Sequence, residues 1–405
     1  MKTREFIRQI AAYALSAMML VAGPALAEKK YGPGVSDTEI KIGQTMPYSG
    51  PASLYSTVGK AMAAYFEKVN ADGGVNGRRI NFISLDDGYS PPRAMEQTRK
   101  LVEQDQVLLI FGTLGTAVNT AIHKYLNSKK VPQLLISSIG MKWNDPQTFP
   151  WTMSFQPNQK SEGGAYAKFL LKNHPNAKIA ILYQNDDFGG GYLQPVKESL
   201  GDRAGKMIVA EASYEVTDPS VDSQVVSLQG SGADTLLIFA SPKFAAMAIR
   251  KAYDIGWKPL EVVTLASATV ASVLQPAGLE KSIGVISSGF MKDPTDSQWR
   301  NDAATKEWLA WMKRYYPNGN ATDIYNVIGY TQAQAMVEIL KRCGDDLTRE
   351  GVMKQAANVK NLELPMFLPG IRITTSPTDY RFIKQLQLMR FDGKQWVLFG
   401  DVIEE

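Results

Sequence analysis

One cysteine and two histidines in 405 residues exclude several common chemistries at the outset. Cys343 has no partner for an internal disulfide, so an oxidising compartment adds no cross-link. It follows a strongly periodic helical stretch and reads as a half-buried structural thiol. His123 and His174 each lack a second histidine or a cysteine at metal-ligand spacing, so no metal ligand is expected. No GxGxxG follows a strand, and there is no P-loop, HExxH or GxSxG. With no base–nucleophile pair either, no catalytic residue, no cofactor and no enzymatic activity are expected. Asp86–Asp87 and Asp186–Asp187 are adjacent carboxylates at strand ends. Neighbours on a strand point to opposite faces, so capping and turn roles are expected of them rather than acid/base work. Charge of one sign is missing too: 44 Lys and Arg stand against 40 Asp and Glu, a formal net of +4. That balance argues neither for nucleic acid nor for a membrane surface.

Long apolar runs are confined to the start. Lys2, Arg4 and Arg8 precede an apolar segment from about Ile10 to Val21, and Gly23, Pro24, Ala25, Leu26 and Ala27 follow. A basic region, an apolar stretch too short to span a bilayer and an Ala-x-Ala site read as a secretory signal peptide, residues 1–27, cut after Ala27. The mature chain is then expected to be exported. It is too long for one core, so two domains are expected.

What is present is organised around residues 107–143. Val107 to Phe111 is a short apolar run, as in a buried parallel strand, ending at Gly112. Thr113, Leu114, Gly115 and Thr116 lead into a helical pattern to about Ser128. A second apolar strand, Val131 to Ile136, ends on Ser137 and Ser138. Two adjacent strands thus end in small hydrogen-bonding residues at one rim of a sheet, where open α/β sheets bind ligands. Free N–H groups at the helix start, with the Thr116 hydroxyl, suit a carboxylate. The other reading, that Thr113 and Thr116 only cap the helix, stays open here.

The rest alternates strand and helix. Strands are expected at 39–46 and 79–86, with helices at about 57–70 and 92–104. Residues 149–164 form a polar, Pro-containing connection, a candidate hinge. Strands at 178–183, 206–214, 234–240, 262–265 and 283–288 then alternate with helices. Three helical patterns follow, at about 302–316, 322–341 and 348–357, and short strands at 371–375, 385–391 and 395–399 end the chain. Such alternation demands parallel strands joined by crossovers. The expected fold class is α/β, two doubly wound parallel-sheet lobes with a hinge and a cleft between them.

The segments IKIGQTMPYSGPAS, VNADGGVNGRRI, LDDGYSPPRAMEQTRKLV, FGTLGTAVNTA and ILYQNDDFGGGYLQPV, in this order and spacing, resemble the leucine/isoleucine/valine-binding protein family. These are periplasmic solute-binding components of branched-chain amino acid-type ABC transporters. The resemblance implies the type I periplasmic binding fold, with lobe one at 36–155 plus 290–370 and lobe two at 156–289 plus 371–405. It also implies a small-molecule ligand, an ABC permease as partner and action as a monomer. By the same resemblance Gly115 and Thr116 hold a ligand carboxylate, Ser137, Ser138 and Ile139 form the amine-side wall, and Phe188 closes from lobe two. Tyr48, Tyr55 and Trp143 are candidate aromatic walls. The positions matching a disulfide in some members read Tyr89 and Gly115.

Two departures bear on the ligand. The position whose hydroxyl helps hold an amine reads Ile139. The acidic partner of the ammonium should fall within Ala266, Ser267 and Ala268, with Ser267 the closest match, and no carboxylate is there. Burying an α-ammonium without one is costly. The expected ligand is therefore a carboxylate lacking an α-amino group, an aromatic acid first and a branched aliphatic acid second. A branched-chain amino acid and a sensor acting through a membrane partner are the alternatives.

Overall fold

The computed structural model describes residues 29–404, so the expected signal peptide lies outside the described residues. Apolar alternation in Glu39–Met46 gives an inner strand of a five-stranded parallel sheet. Its strands are β1 (Glu39–Met46), β2 (Arg79–Asp86), β3 (Leu109–Phe111), β4 (Gln133–Ile136) and β5 (Thr152–Ser154), in the order β2-β1-β3-β4-β5. β5 was not expected. Residues 149–164 were read as a connection, but Thr152, Met153 and Ser154 are buried and pair with β4 as the sheet's edge.

A second sheet contains β6 (Ile179–Gln184), β7 (Ile208–Tyr214), β8 (Thr235–Phe239), β9 (Leu260–Val263), β10 (Ile286–Gly289), β11 (Gln385–Phe391) and β12 (Trp396–Glu404). Their order is β12-β11-β10-β9-β8-β6-β7. β6 to β10 are parallel, whereas β11 and β12 join antiparallel as a hairpin edge, so this sheet is mixed. The chain leaves the first sheet after Ser154, returns after Gly289 and crosses again before Gln385.

Helix Ser56–Ala71 buries Val58, Ala61, Met62, Tyr65 and Phe66 against the first sheet and against the long helix Ile324–Cys343. The two helices meet at Gly329, where an added Cβ would lie 2.3 Å from Val58 O. Residues 371–383 are expected in lobe two. Instead Ile371, Ile373, Tyr380, Phe382 and Ile383 share the core of the first sheet. The segment expected as a strand at 371–375 forms only an isolated bridge, Leu362 with Ile373.

Candidate functional site

β3 and β4 end side by side, and Leu114 bridges to Ser137 just beyond them. Gly115 adopts φ 105°, where a side chain is strained, and turns the chain into helix Thr116–Ser128. No side chain caps this helix. Thr113 Oγ1 instead accepts from Thr45 N at 3.3 Å, and Thr116 Oγ1 meets Ser138 Oγ at 2.8 Å. The capping reading therefore fails, and the first-turn N–H groups lack an intrahelical acceptor.

The hydroxyl network has a direction. Ser138 Oγ accepts from Trp143 Nε1 at 2.8 Å and, at 3.4 Å, from Gly140 N. With its lone pairs so engaged, its own proton goes to Thr116 Oγ1. The Thr116 proton is then free for an oxygen of a ligand. Ser137 Oγ donates to Gln332 Oε1 at 3.0 Å, tying the wall to helix Ile324–Cys343.

These residues line a cavity between the two sheets enclosing about 560 Å³ of space, part of it open to solvent. Seven of the nine expected residues are brought together there: Tyr55, Gly115, Thr116, Ser137, Ser138, Ile139 and Phe188. Tyr48 is not. Its hydroxyl meets Ser84 Oγ at 2.7 Å, because the loop after β1 folds it back over its own sheet. Ser267 is fully buried and donates to Ala240 O at 2.6 Å, so the turn 265–267 presents Leu265 and Ala266 to the cavity instead.

Tyr89, Tyr325, Ile328, Val58, Gln156 and Ser241 also line the cavity and were missed. Tyr55 with Val58, and Tyr325 with Ile328, are pairs three residues apart, a spacing that could have flagged them. The Tyr89 ring lies on Gly115: an added Cβ there would be 2.5 Å from Tyr89 Cε2. Tyr89 and Gly115 are thus in contact.

The second sheet supplies the opposite wall. Asp186 Oδ1 accepts from Phe188 N at 2.9 Å and Gly189 N at 3.2 Å, and Gln159 Nε2 donates to Phe188 O at 2.7 Å. Tyr325 donates to Ala266 O at 2.7 Å and Tyr55 donates to it at 3.3 Å, joining the lobes behind Phe188. Next to Phe188 in sequence, Asp187 Oδ2 accepts from Lys142 Nζ and from Thr120 Oγ1, both at 2.7 Å. Asp86 is paired with Arg93 and Asp87 Oδ1 caps Tyr89 N, so the adjacent carboxylates serve turns and pairing.

Among the described residues no lysine, arginine, aspartate or glutamate lines the cavity. Burial pushes the Tyr55 and Tyr89 hydroxyls well above their usual range, and the nearby Asp186 charge adds to this, so both stay neutral. His123 is held by Thr120 O at 2.8 Å between Trp143 and Phe149. Burial lowers its pKa. No group of metal-binding side chains occurs among the described residues, and no helix there is long and apolar enough to cross a membrane.

The family model described as periplasmic binding protein matches residues 39–395. A Leu/Ile/Val-binding protein homolog 7 from Brucella suis biovar 1 (strain 1330) is 24% identical over 361 residues, covering 86% of this chain and 86% of that protein. A branched chain amino acid ABC transporter structure from Thermus thermophilus with bound valine superposes with a TM-score of 0.82 at 14% identity, covering 92% of this chain and 98% of that one. A fatty acid ABC transporter substrate-binding protein from Thermomonospora curvata gives 0.77 at 22% identity, covering 93% and 95%.

Proposed function

We propose, from the premise that this chain belongs to the periplasmic binding protein family, that it delivers a small carboxylate lacking an α-ammonium to an ABC permease. It would act in the periplasm as a monomer. An aromatic acid comes first as ligand and a branched aliphatic acid second. The observation that carries this reading is the state of the acceptors around the cavity. An ammonium needs oxygen partners, and no carboxylate lines the wall. The carbonyls nearest to hand already accept hydrogen bonds, Ser138 O from Ser154 Oγ, Ile139 O from Gln159 N and Ala266 O from two tyrosine hydroxyls, so an ammonium would find single lone pairs and the neutral Gln156 and Ser241 side chains but no counter-charge. A carboxylate, in contrast, finds the Thr116 proton and an uncapped helix start.

In this reading the lobes are 36–155 with 290–384, and 156–289 with 385–404. Lobe one takes the carboxylate at the Thr116 hydroxyl and the helix start that Gly115 turns into, with Ser138 orienting the Thr116 proton, and lobe two closes with Phe188 over the apolar part. Closure selected by the ligand would present both lobes to the permease. A branched-chain amino acid is the second reading, favoured by the valine-bound Thermus thermophilus structure.

The test is a thermal-shift screen of ligand-stripped protein with calorimetry on hits. It pairs leucine, valine and phenylalanine with benzoate, hydroxybenzoate, cinnamate and isovalerate. A ligand at a hundred times its Kd stabilises by about 2.7 kcal/mol. Only the acids without an amine are expected to bind, and Thr116→Val should weaken them about 10- to 100-fold, the worth of a hydrogen bond to a charged group. Tight leucine or valine binding would establish the amino acid reading instead.

A further inference from the structure

Behind the cavity just described lies a second one of about 490 Å³, on the side where the chain crosses between the sheets. The two share Leu265 and Ile328 as their common wall. Leu265 comes from the turn after β9 and Ile328 from the long helix, so the partition is made of two side chains, one from each lobe. Ala268, Phe290, Met291, Ile324, Met389 and Leu398 make the new chamber largely apolar, and it too is walled by both lobes. Methionines are adaptable lining, able to repack around a chain.

One end of this chamber is polar. Asp293 and Asp296 line it, at 5% and 3% exposure, and neither has a cationic partner among the described residues. Asp293 Oδ1 takes Thr295 N at 2.8 Å and Thr295 Oγ1 at 2.6 Å, and Asp296 takes Trp396 N at 2.9 Å and a hydrogen bond from Gln298. Lys292, next in sequence, is turned away to Asp302 at 2.9 Å. Two carboxyl groups sealed into an apolar space without a counter-charge are costly unless a donor meets them. They supply acceptor atoms where the first cavity has few to spare.

We propose that this chamber is a second compartment of the ligand site, entered past Leu265 and Ile328. It receives the far end of an elongated carboxylic acid, an apolar chain ending in a hydroxyl or amine donor that meets Asp293 and Asp296. The inference rests on the carboxylate reading of the first cavity and extends the ligand beyond the size of leucine or benzoate.

The test is calorimetry of the full mature protein with isovalerate, octanoate, ω-hydroxyoctanoate and ω-aminooctanoate. Each methylene buried past the partition should tighten binding about fourfold. The expected order is an ω-donor acid over octanoate over isovalerate, with the hydroxyl and amine arms identifying the donor. Gly289→Leu, whose side chain would grow towards Met389, should erase the gain and leave isovalerate unchanged. Ile324→Trp, at a half-buried position, does the same should the first variant fail to fold. If isovalerate binds and neither ω-donor acid binds more tightly, or if the filled variants keep the preference, the second compartment is overturned while the carboxylate reading stands. If neither these acids nor benzoate, run beside them, binds, the carboxylate reading itself falls.

Discussion

At the scale of single residues the site depends most on Gly115. Its φ of 105° is strained for any side chain, and an added Cβ would press into the Tyr89 ring at 2.5 Å. Tyr89 itself sits at φ 60° and has little freedom to retreat. Gly115→Ala is therefore expected to cost about 1–3 kcal/mol in stability and to deform the carboxylate end of the cavity. Urea unfolding and calorimetry check both; a variant as stable and as tight-binding as the parent would show that Tyr89 yields. The glycine-rich turn, Thr116 and the serine pair were legible because small polar residues at the ends of apolar strands have few other uses. Tyr89 as a wall was not: the resemblance pairs it with Gly115, but its ring reaches the cavity from a left-handed backbone that no side chain advertises. Ser267 was misplaced for a related reason. A position can match by sequence and still turn its hydroxyl inward, here to Ala240 O.

Elements were easier to read than their partners. Glu39–Met46 and Arg79–Asp86 fall where alternation and turn residues placed them. β5 escaped because three residues beside prolines carry no usable period, and only pairing with β4 makes them a strand. What no element shows alone is how the lobes touch. The loop after β6 places Asp187 against Thr120, on helix Thr116–Ser128, and Lys142. Both members of the ion pair are more than a third exposed, at 35% and 45%, so water and salt screen it. Such a pair contributes about 0–1 kcal/mol. Asp187→Ala should therefore speed ligand release by no more than about fivefold, with the difference shrinking in high salt. Stopped-flow release kinetics at two ionic strengths would measure it. A hundredfold effect would mean that this contact, rather than the buried Tyr55 and Tyr325 bonds to Ala266, holds the lobes closed.

For the whole molecule, the acids sealed at the junction of the lobes set a pH dependence. Burial pushes the Asp293 carboxyl up to about 6. Burial, with the Asp293 and Asp392 charges, pushes Asp296 up to about 8 against the hydrogen bonds from Trp396 N and Gln298. Asp323 and the buried Glu261 shift upward as well, by loss of hydration. Unfolded, these groups titrate near about 4. Between about pH 4 and about pH 8 the folded protein thus holds more protons than the unfolded chain, so stability falls as pH rises. Asp379 works in the opposite sense. Arg381 and Lys384 overcome its desolvation and lower it to about 2, so its contribution is lost only as pH falls from about 4 towards about 2. The two trends leave the ligand-free protein most stable on the acid side of neutrality. Its Tm in scanning calorimetry should decline from pH 5 to pH 8, and Asp296→Asn should flatten the decline. A Tm that rises across this range would mean that these carboxyls are hydrated or paired in solution. Because the chamber holding Asp293 and Asp296 is walled by both lobes, ionising them also opposes closure. Ligand affinity should then fall over the same interval in the parent and much less in Asp296→Asn, which separates a hinge effect from a general loss of stability.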